Sequence, residues 1–501
     1  MNIQKICVIG AGVSGLVAAK TFLEEGYDIT VFEKQANLGG VWEKTRSYPG
    51  QNLQNTRDTF CFSDFPMPES YSEFPTAEDM RNYLQSYADY FGVTDKIYLQ
   101  TEVLKITEKA ENQPGWVVNV RHQKGENIDV MEYEFDFILM CNGTFSIPKI
   151  PHVPGFQDFI VSGGKILHST QFNDAAIIDN KHVIVVGFGK SAADIATLAV
   201  ELSKECTLVF RRALWKIPKY IFNRINYKHI FLTRFAEIWF RYHKLRGVEK
   251  LLHTIGKPLV WMFWRMNEKL MSWQFNLDAC GLVPEIPMEK SFTCTGNLAP
   301  ENFYEYVISG KIHAKKTEIT RYFPGGVELK SGERIAADVV IFGTGFRQDV
   351  PLLPEKYRHL LIDEQGNFHL YRNLIHPEIP NIGFVGYSSS FISQLTAEVG
   401  VWWLLEYVKG NLKLPSLAEI YSQMDRQFAW DKAHVPSGVA IGTCVIPFSV
   451  HYLEELIQDM GIKIRGNGSQ PLQGMMETFN PLTYQKIRQQ LRKKITCALH
   501  S

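Results

Sequence analysis

KICVIGAGVSG, residues 5–15, decides the fold of this 501-residue chain. The apolar run ending at Ile9 predicts a strand, GAGVSG a tight turn, and LVAAKTFLEEGY a helix. ITVFEK then supplies a second strand and completes a βαβ unit. Gly10 permits the turn, Gly12 lets the backbone approach a pyrophosphate, and Gly15 allows close packing of helix on strand. The helix N-terminus, with its unpaired N–H groups, favours negative charge there. Glu33 closes the second strand, where a carboxylate can accept hydrogen bonds from ribose hydroxyls, and Lys34 follows it. Gly10, Gly12, Val13, Ser14, Gly15, Glu33 and Lys34 are therefore candidate nucleotide contacts.

HVIVVGFGKSA, residues 182–192, repeats the pattern. Gly187 and Gly189 take the same roles, and Lys190 and Ser191 complete the turn. Ala192 stands where a third glycine would, which is expected to widen the helix–strand approach slightly. The next strand, TLVFRR, ends in Arg211 and Arg212 where the first unit carries Glu33. A carboxylate would repel a 2′-phosphate, whereas a guanidinium binds it bidentately, so NADPH is favoured over NADH. Solvated surface charge is the alternative reading of both arginines. Two such loops suggest one site for FAD and one for NADPH, with hydride passing from nicotinamide to flavin.

The fold class expected is α/β, with two Rossmann-like dinucleotide-binding domains, the NADPH domain inserted into a split FAD domain. Its limits are read as residues 1–172 for the first part of the FAD domain, 173–330 for the NADPH domain, and 331–501 for the FAD return and C-terminal helices. An aromatic-rich helical insertion is expected at about 213–289. Residues 39–75 mix aromatics with Gly and Pro at a density suited to a ligand-lining loop.

Bulk properties exclude several classes. Lys+Arg and Asp+Glu balance at 53 each, so nothing global argues for nucleic acid as a partner. The eight cysteines form no Cys-x-x-Cys pair, so neither a zinc site nor a disulfide framework is expected. The N-terminus lacks a signal-peptide pattern, and no apolar stretch of about 18 residues is present. A cytoplasmic protein is expected. Peripheral membrane contact through the insertion or the basic tail from Tyr484, and homodimerisation, are left open.

These residues resemble the class B flavin-dependent monooxygenases, in particular the flavin-containing monooxygenase branch, over almost the whole chain. GAGVSG with Glu33 is similar to that family's FAD fingerprint. LGGVW resembles the segment beside its flavin, which implies roles for Gly40, Val41 and Trp42. GFGKSA is similar to its NADPH loop, and DVVIFGTGF resembles its Thr-Gly motif near the domain junction, carried here by Thr344 and Gly345. The signature Phe-x-Gly-x-x-x-His-x-x-x-Tyr/Phe is matched by Gly164, His168 and Phe172, but Ser162 occupies the first aromatic position, with Phe159 as a substitute. In the loop YPGQNLQNTRDTFCFSDFPMP, a gap-free match places Gln54 at a functional amide position, with Asn55 beside it; both stay candidates. For His168, a domain-linking or nucleotide-positioning role stands beside that of a buried structural histidine.

The resemblance implies NADPH- and O2-dependent oxygenation of a nucleophilic nitrogen or sulfur of a small molecule through a C4a-hydroperoxyflavin, an activity of the N,N-dimethylaniline monooxygenase type. The alternatives are a Baeyer–Villiger monooxygenase acting on a ketone, a two-dinucleotide flavin reductase, and a non-catalytic flavin redox sensor. Phe172 followed by Asn173 favours heteroatom oxygenation over the first, whose fingerprint ends in Trp followed by Pro or Asp. A disulfide reductase needs paired cysteines, which sequence spacing does not supply.

Overall fold

The computed structural model describes residues 3–110, 113–124, 127–436, 438–462 and 475–499. The strand Lys5–Ile9 sits in the middle of a five-stranded parallel sheet, ordered Ile382–Phe384, Phe137–Met140, Lys5–Ile9, Asp28–Phe32, Ile97–Tyr98. From Ile6 onward the central strand is buried on both faces, which is why its sequence is apolar without alternation. The helix Val13–Leu23 that follows is buried from Gly15 to Phe22. Even Lys20 is enclosed, pairing with Asp64 and Glu24. The helix Ser393–Val408 lies against it and is buried from Gln394 to Glu406, polar residues included.

A second parallel sheet repeats the plan in the order Ile312–Lys316, Glu205–Phe210, His182–Val186, Val339–Phe342, Lys165–His168. This corrects the domain limits read from sequence. Lys165–His168, assigned to the first domain, forms the edge of the second sheet, and Val339–Phe342, assigned to the return, pairs with His182–Val186. The chain rejoins the first sheet only at Ile382–Phe384. An apolar β-branched run specifies burial, not which sheet it enters. Here the adjoining Asp338 helps to fix the partner, its carboxylate accepting the backbone N–H of His182 at 2.8 Å.

The connections between the units are joined by a short antiparallel pair, Ile147–Pro148 with Phe346–Arg347. The inserted segment carries the long helix Lys257–Phe275. Its tryptophans divide: Trp264 is buried in the second unit's core, whereas Trp261 and Trp273 are 63% and 69% exposed. The basic tail is docked as the helix Gln485–Leu499, and Arg488 and Arg492 pair with Glu25 and Glu24 at the end of Val13–Leu23. Among the described residues no helix is long and apolar enough to cross a membrane.

Candidate active site

Both glycine-rich turns are built for backbone approach. Gly10 has φ +104°, and a Cβ there would lie 2.7 Å from the carbonyl oxygen of Cys141. A Cβ on Gly15 would fall 1.8 Å from the Gly10 carbonyl oxygen, so helix and strand could not meet with any side chain present. Gly12 and Gly40 face each other as backbone, and a Cβ on Gly386 would strike the Ser14 hydroxyl at 2.3 Å. The helix Val13–Leu23 starts at Gly12 with no side-chain cap, leaving its first N–H groups for an anion. Glu33 is buried at the strand end, Oε2 accepting from Ala11 N–H at 2.8 Å and Oε1 from Gln35 N–H at 2.9 Å. The carboxylate is thereby tied to the turn, and each oxygen keeps a lone pair for a ribose hydroxyl. Lys34, beside it, is exposed.

The second turn reaches the same result with different residues. Gly187 has φ +127° and abuts the Gly343 carbonyl. The Ala192 methyl fits against a glycine opposite, since a Cβ on Gly343 would lie 2.7 Å from it. Gly189 has open space where its Cβ would be, and the helix Lys190–Leu202 begins there uncapped. Lys190 pairs with Asp194 and reaches Asn52 Oδ1 at 3.2 Å, while Ser191 bonds to Tyr48. Arg211 and Arg212 are exposed at the strand end, and Arg211 makes no ion pair with a described residue.

Between the units lies His168, fully buried. Its Nε2 is 2.9 Å from the Gly345 carbonyl oxygen and its Nδ1 3.0 Å from the Thr170 hydroxyl. Burial holds the imidazole below its ordinary pKa, so the neutral form donates from Nε2 to Gly345. Thr344 donates its hydroxyl to the Lys149 carbonyl, and Lys149 N–H donates to Gly345 O at 3.1 Å. Phe159, the candidate substitute for the aromatic missing at Ser162, is buried, with its ring 2.4 Å from where a Gly164 Cβ would be.

Asn55 and Gln54 point to different neighbours. Asn55, 2% exposed, donates from Nδ2 to the Phe391 carbonyl at 2.5 Å, whereas Gln54 Oε1 accepts from Leu298 N–H at 2.9 Å in the second unit. Tyr227 donates to the Gln54 carbonyl at 2.7 Å and locks the loop. Beyond Phe391, the buried amide of Gln394 has no partner among the described residues, and the helix Ser393–Val408 starts uncapped. Trp42 is buried in the short turn Gly40–Trp42, its carbonyl accepting from Arg81 at 3.1 Å; Val41 is half-buried. Unmet hydrogen-bonding capacity beside a backbone cradle fits the polar edge of a flavin and its pyrophosphate.

Sequence reasoning missed Glu43 and Lys216. Glu43 is buried and accepts from Thr45 N–H at 2.7 Å and Asn37 at 3.2 Å, shaping the turn after Trp42. Lys216 is buried beneath the second turn, donating to Phe188 O at 2.9 Å and Asn297 Oδ1 at 2.6 Å. Burial, partly offset by Asp194, pushes its ammonium down to about 7. A lysine between apolar residues was the only available signal. Spacing also hid a thiol pair: Cys294 and Cys444, free cysteines far apart in sequence, meet in hydrogen-bond contact. That contact and burial hold the Cys294 thiol well above its ordinary pKa, unlike a reactive redox dithiol.

A split first unit and an inserted second one, each with a pyrophosphate cradle, define a two-dinucleotide oxidoreductase. The flavin-binding monooxygenase-like family matches residues 3–465, and the chain belongs to that family. It is similar to "Probable flavin-containing monooxygenase 1" of Arabidopsis thaliana, at 29% identity over 97% of this chain and 96% of the plant protein. Among solved structures it resembles S-allyl-L-cysteine S-oxygenase from Allium sativum, with a TM-score of 0.63, 18% identity, and 98% and 93% of the two chains covered. Cyclohexanone monooxygenase from Rhodococcus sp. Phi1 bound to NADP+ gives a TM-score of 0.66 at 18% identity, covering 93% and 98%. The chain is thus a flavin monooxygenase by family.

Proposed function

We propose that this flavin monooxygenase uses FAD and NADPH with O2 to oxygenate a nucleophilic nitrogen or sulfur of a small molecule. The observation that carries the reading is the contrast between the two strand ends: a tethered carboxylate at Glu33 and exposed guanidinium groups at Arg211 and Arg212. The first suits an unmodified ribose, the second a 2′-phosphate. Bound FAD supplies the hydride acceptor and the oxygen activation.

The chain's own residues then have defined tasks. N–H groups after Gly12 and Gly189 hold the two pyrophosphates. His168 clamps Gly345, keeping the cradles in register so that a nicotinamide and a flavin ring can meet. Asn55, with one N–H on Phe391, keeps its second for a flavin-side acceptor, while Gln54 struts the loop against Leu298. Tyr227, Trp42 and Phe391 keep water away, which matters because a wet site wastes reducing equivalents as hydrogen peroxide.

Supplying the purified protein with a thioether or a cyclic ketone tests this. Sulfoxide as the dominant product is expected; dominant lactone would move the chain to the Baeyer–Villiger reading.

A further inference from the structure

A cavity opens between residues 242–244 and 293–294 of the inserted segment, the 368–373 loop, the helix Leu417–His434 and residues 442–448. It shares a wall with the Asn55 loop. Cys444 pairs by backbone with Ser389, and Phe391, two residues on, gives its carbonyl to Asn55. From the other side Gly296 abuts the Phe391 ring, where an added Cβ would lie at 3.3 Å.

The charges around this cavity are unevenly matched. His243 and His369 line it, and so does Arg426, which donates to the Ser422 hydroxyl at 2.7 Å. At one end Glu455 is fully engaged: Arg372 and Lys244 pair with it and Tyr242 donates to it at 3.0 Å, while Arg372 also binds Asp459. At the other, Asp431 is 7% exposed and accepts a hydrogen bond from Gln427 at 2.9 Å, yet makes no ion pair with any described residue. Burial pushes its carboxyl up to about 7, and no cation offsets it. It faces the Cys294–Cys444 thiols, which bring no positive charge. A buried carboxylate without a counter-ion is costly; alone it takes up a proton, and a cationic ligand would hold it ionised. Aromatic walls from Trp430, Tyr242 and Phe448 suit an alkylammonium.

We propose that this cavity receives the substrate and that Asp431 binds a protonated amine carried by that substrate apart from the nitrogen or sulfur to be oxygenated. The inference rests on the oxygenase reading above. A reacting heteroatom must keep its lone pair, so it is uncharged, and the ammonium is necessarily a second group. Amino-thioethers and diamines with one neutral nitrogen are the substrate class this defines.

Calorimetric titration of the flavin-loaded full chain with 2-(methylthio)ethylamine and with 2-(methylthio)ethanol tests it. The wild-type protein is expected to bind the amine about tenfold or more tightly than the alcohol, the worth of one charge-assisted contact. Asp431→Asn is expected to bring the two to parity, with flavin content as the check of folding. Equal affinities in the wild type overturn the proposal, and that arm needs no variant. So does an amine preference that survives in Asp431→Asn or in Asp431→Ser. Binding is read without turnover, so the two readings separate: an Asp431-dependent preference without oxygenation upholds this site and removes the oxygenase reading. Oxygenation of both probes with equal affinity does the reverse.

Discussion

His168 donates from Nε2 to the carbonyl oxygen of Gly345 at 2.9 Å, joining positions 177 residues apart at the junction of the two nucleotide-binding units. Removing that donor in His168→Leu leaves a buried carbonyl with one partner fewer, and should cost about 1–3 kcal/mol of stability. His168→Gln, which can still donate, should recover most of it in a thermal unfolding comparison. The pH sign follows from burial, which lowers the folded pKa. The neutral imidazole's contribution is complete above the ordinary histidine value and is lost as pH falls through the lowered one. Wild-type stability should therefore fall more steeply in acid than that of His168→Gln.

Gly187 and Gly189 separate folding from binding. Gly187→Ala places a methyl at φ +127°, 2.5 Å from the Gly343 carbonyl oxygen, and should destabilise the fold by about 1–3 kcal/mol or more. Gly189→Ala meets nothing within 4 Å in the protein. It should unfold at the wild-type temperature yet bind NADP+ weakly, as fluorescence titration would show, because its methyl occupies the space a pyrophosphate needs.

Exposed Arg211 and Arg212 should discriminate between nicotinamide nucleotides. Arg211→Ala and Arg212→Ala are each expected to raise KM for NADPH about tenfold to a hundredfold, the range for a lost charge-assisted hydrogen bond. KM for NADH should stay unchanged. No change for either nucleotide would mean that the arginines are surface charge only, and an equal rise for both would mean that they do not read the 2′-phosphate.

His451 fastens the inserted segment to the C-terminal helices. Its Nδ1 meets Glu237 and its Nε2 Glu249, both at 2.7 Å. Burial opposes the charge, but the two carboxylates outweigh it and push the imidazole up to about 10. A raised folded value means stability that is complete below the ordinary pKa and is lost as pH rises toward 10. The stability gap between wild type and His451→Asn should be widest near pH 6 and shrink steadily in alkali.

The two glycine-rich turns and the strand-end acid could be read from the chain because they are local. Gly10 through Gly15 and the following strand sit within about thirty residues, so turn geometry, helix start and the strand-end Glu33 appear together in sequence. Long-range pairing was not legible: nothing in KILH or VVIF says that Lys165–His168 and Val339–Phe342 join the second sheet. The ring of Phe159 reaches Gly164 because the helix Phe156–Val161 carries it there, which spacing alone does not give. Asp431, Lys216 and the Cys294–Cys444 pair lie outside motifs, and their character comes from burial and from neighbours far away in sequence.

The most direct test of two coupled nucleotide sites is isotopic. Purified, flavin-loaded protein is mixed with NADPH, a thioether and 18O2, and NADPH consumed is compared with labelled sulfoxide formed. One 18O atom in each sulfoxide and near one-to-one stoichiometry with NADPH is the predicted result. Sulfoxide without label, or NADPH consumption yielding only hydrogen peroxide with every nucleophile tried, would contradict the account.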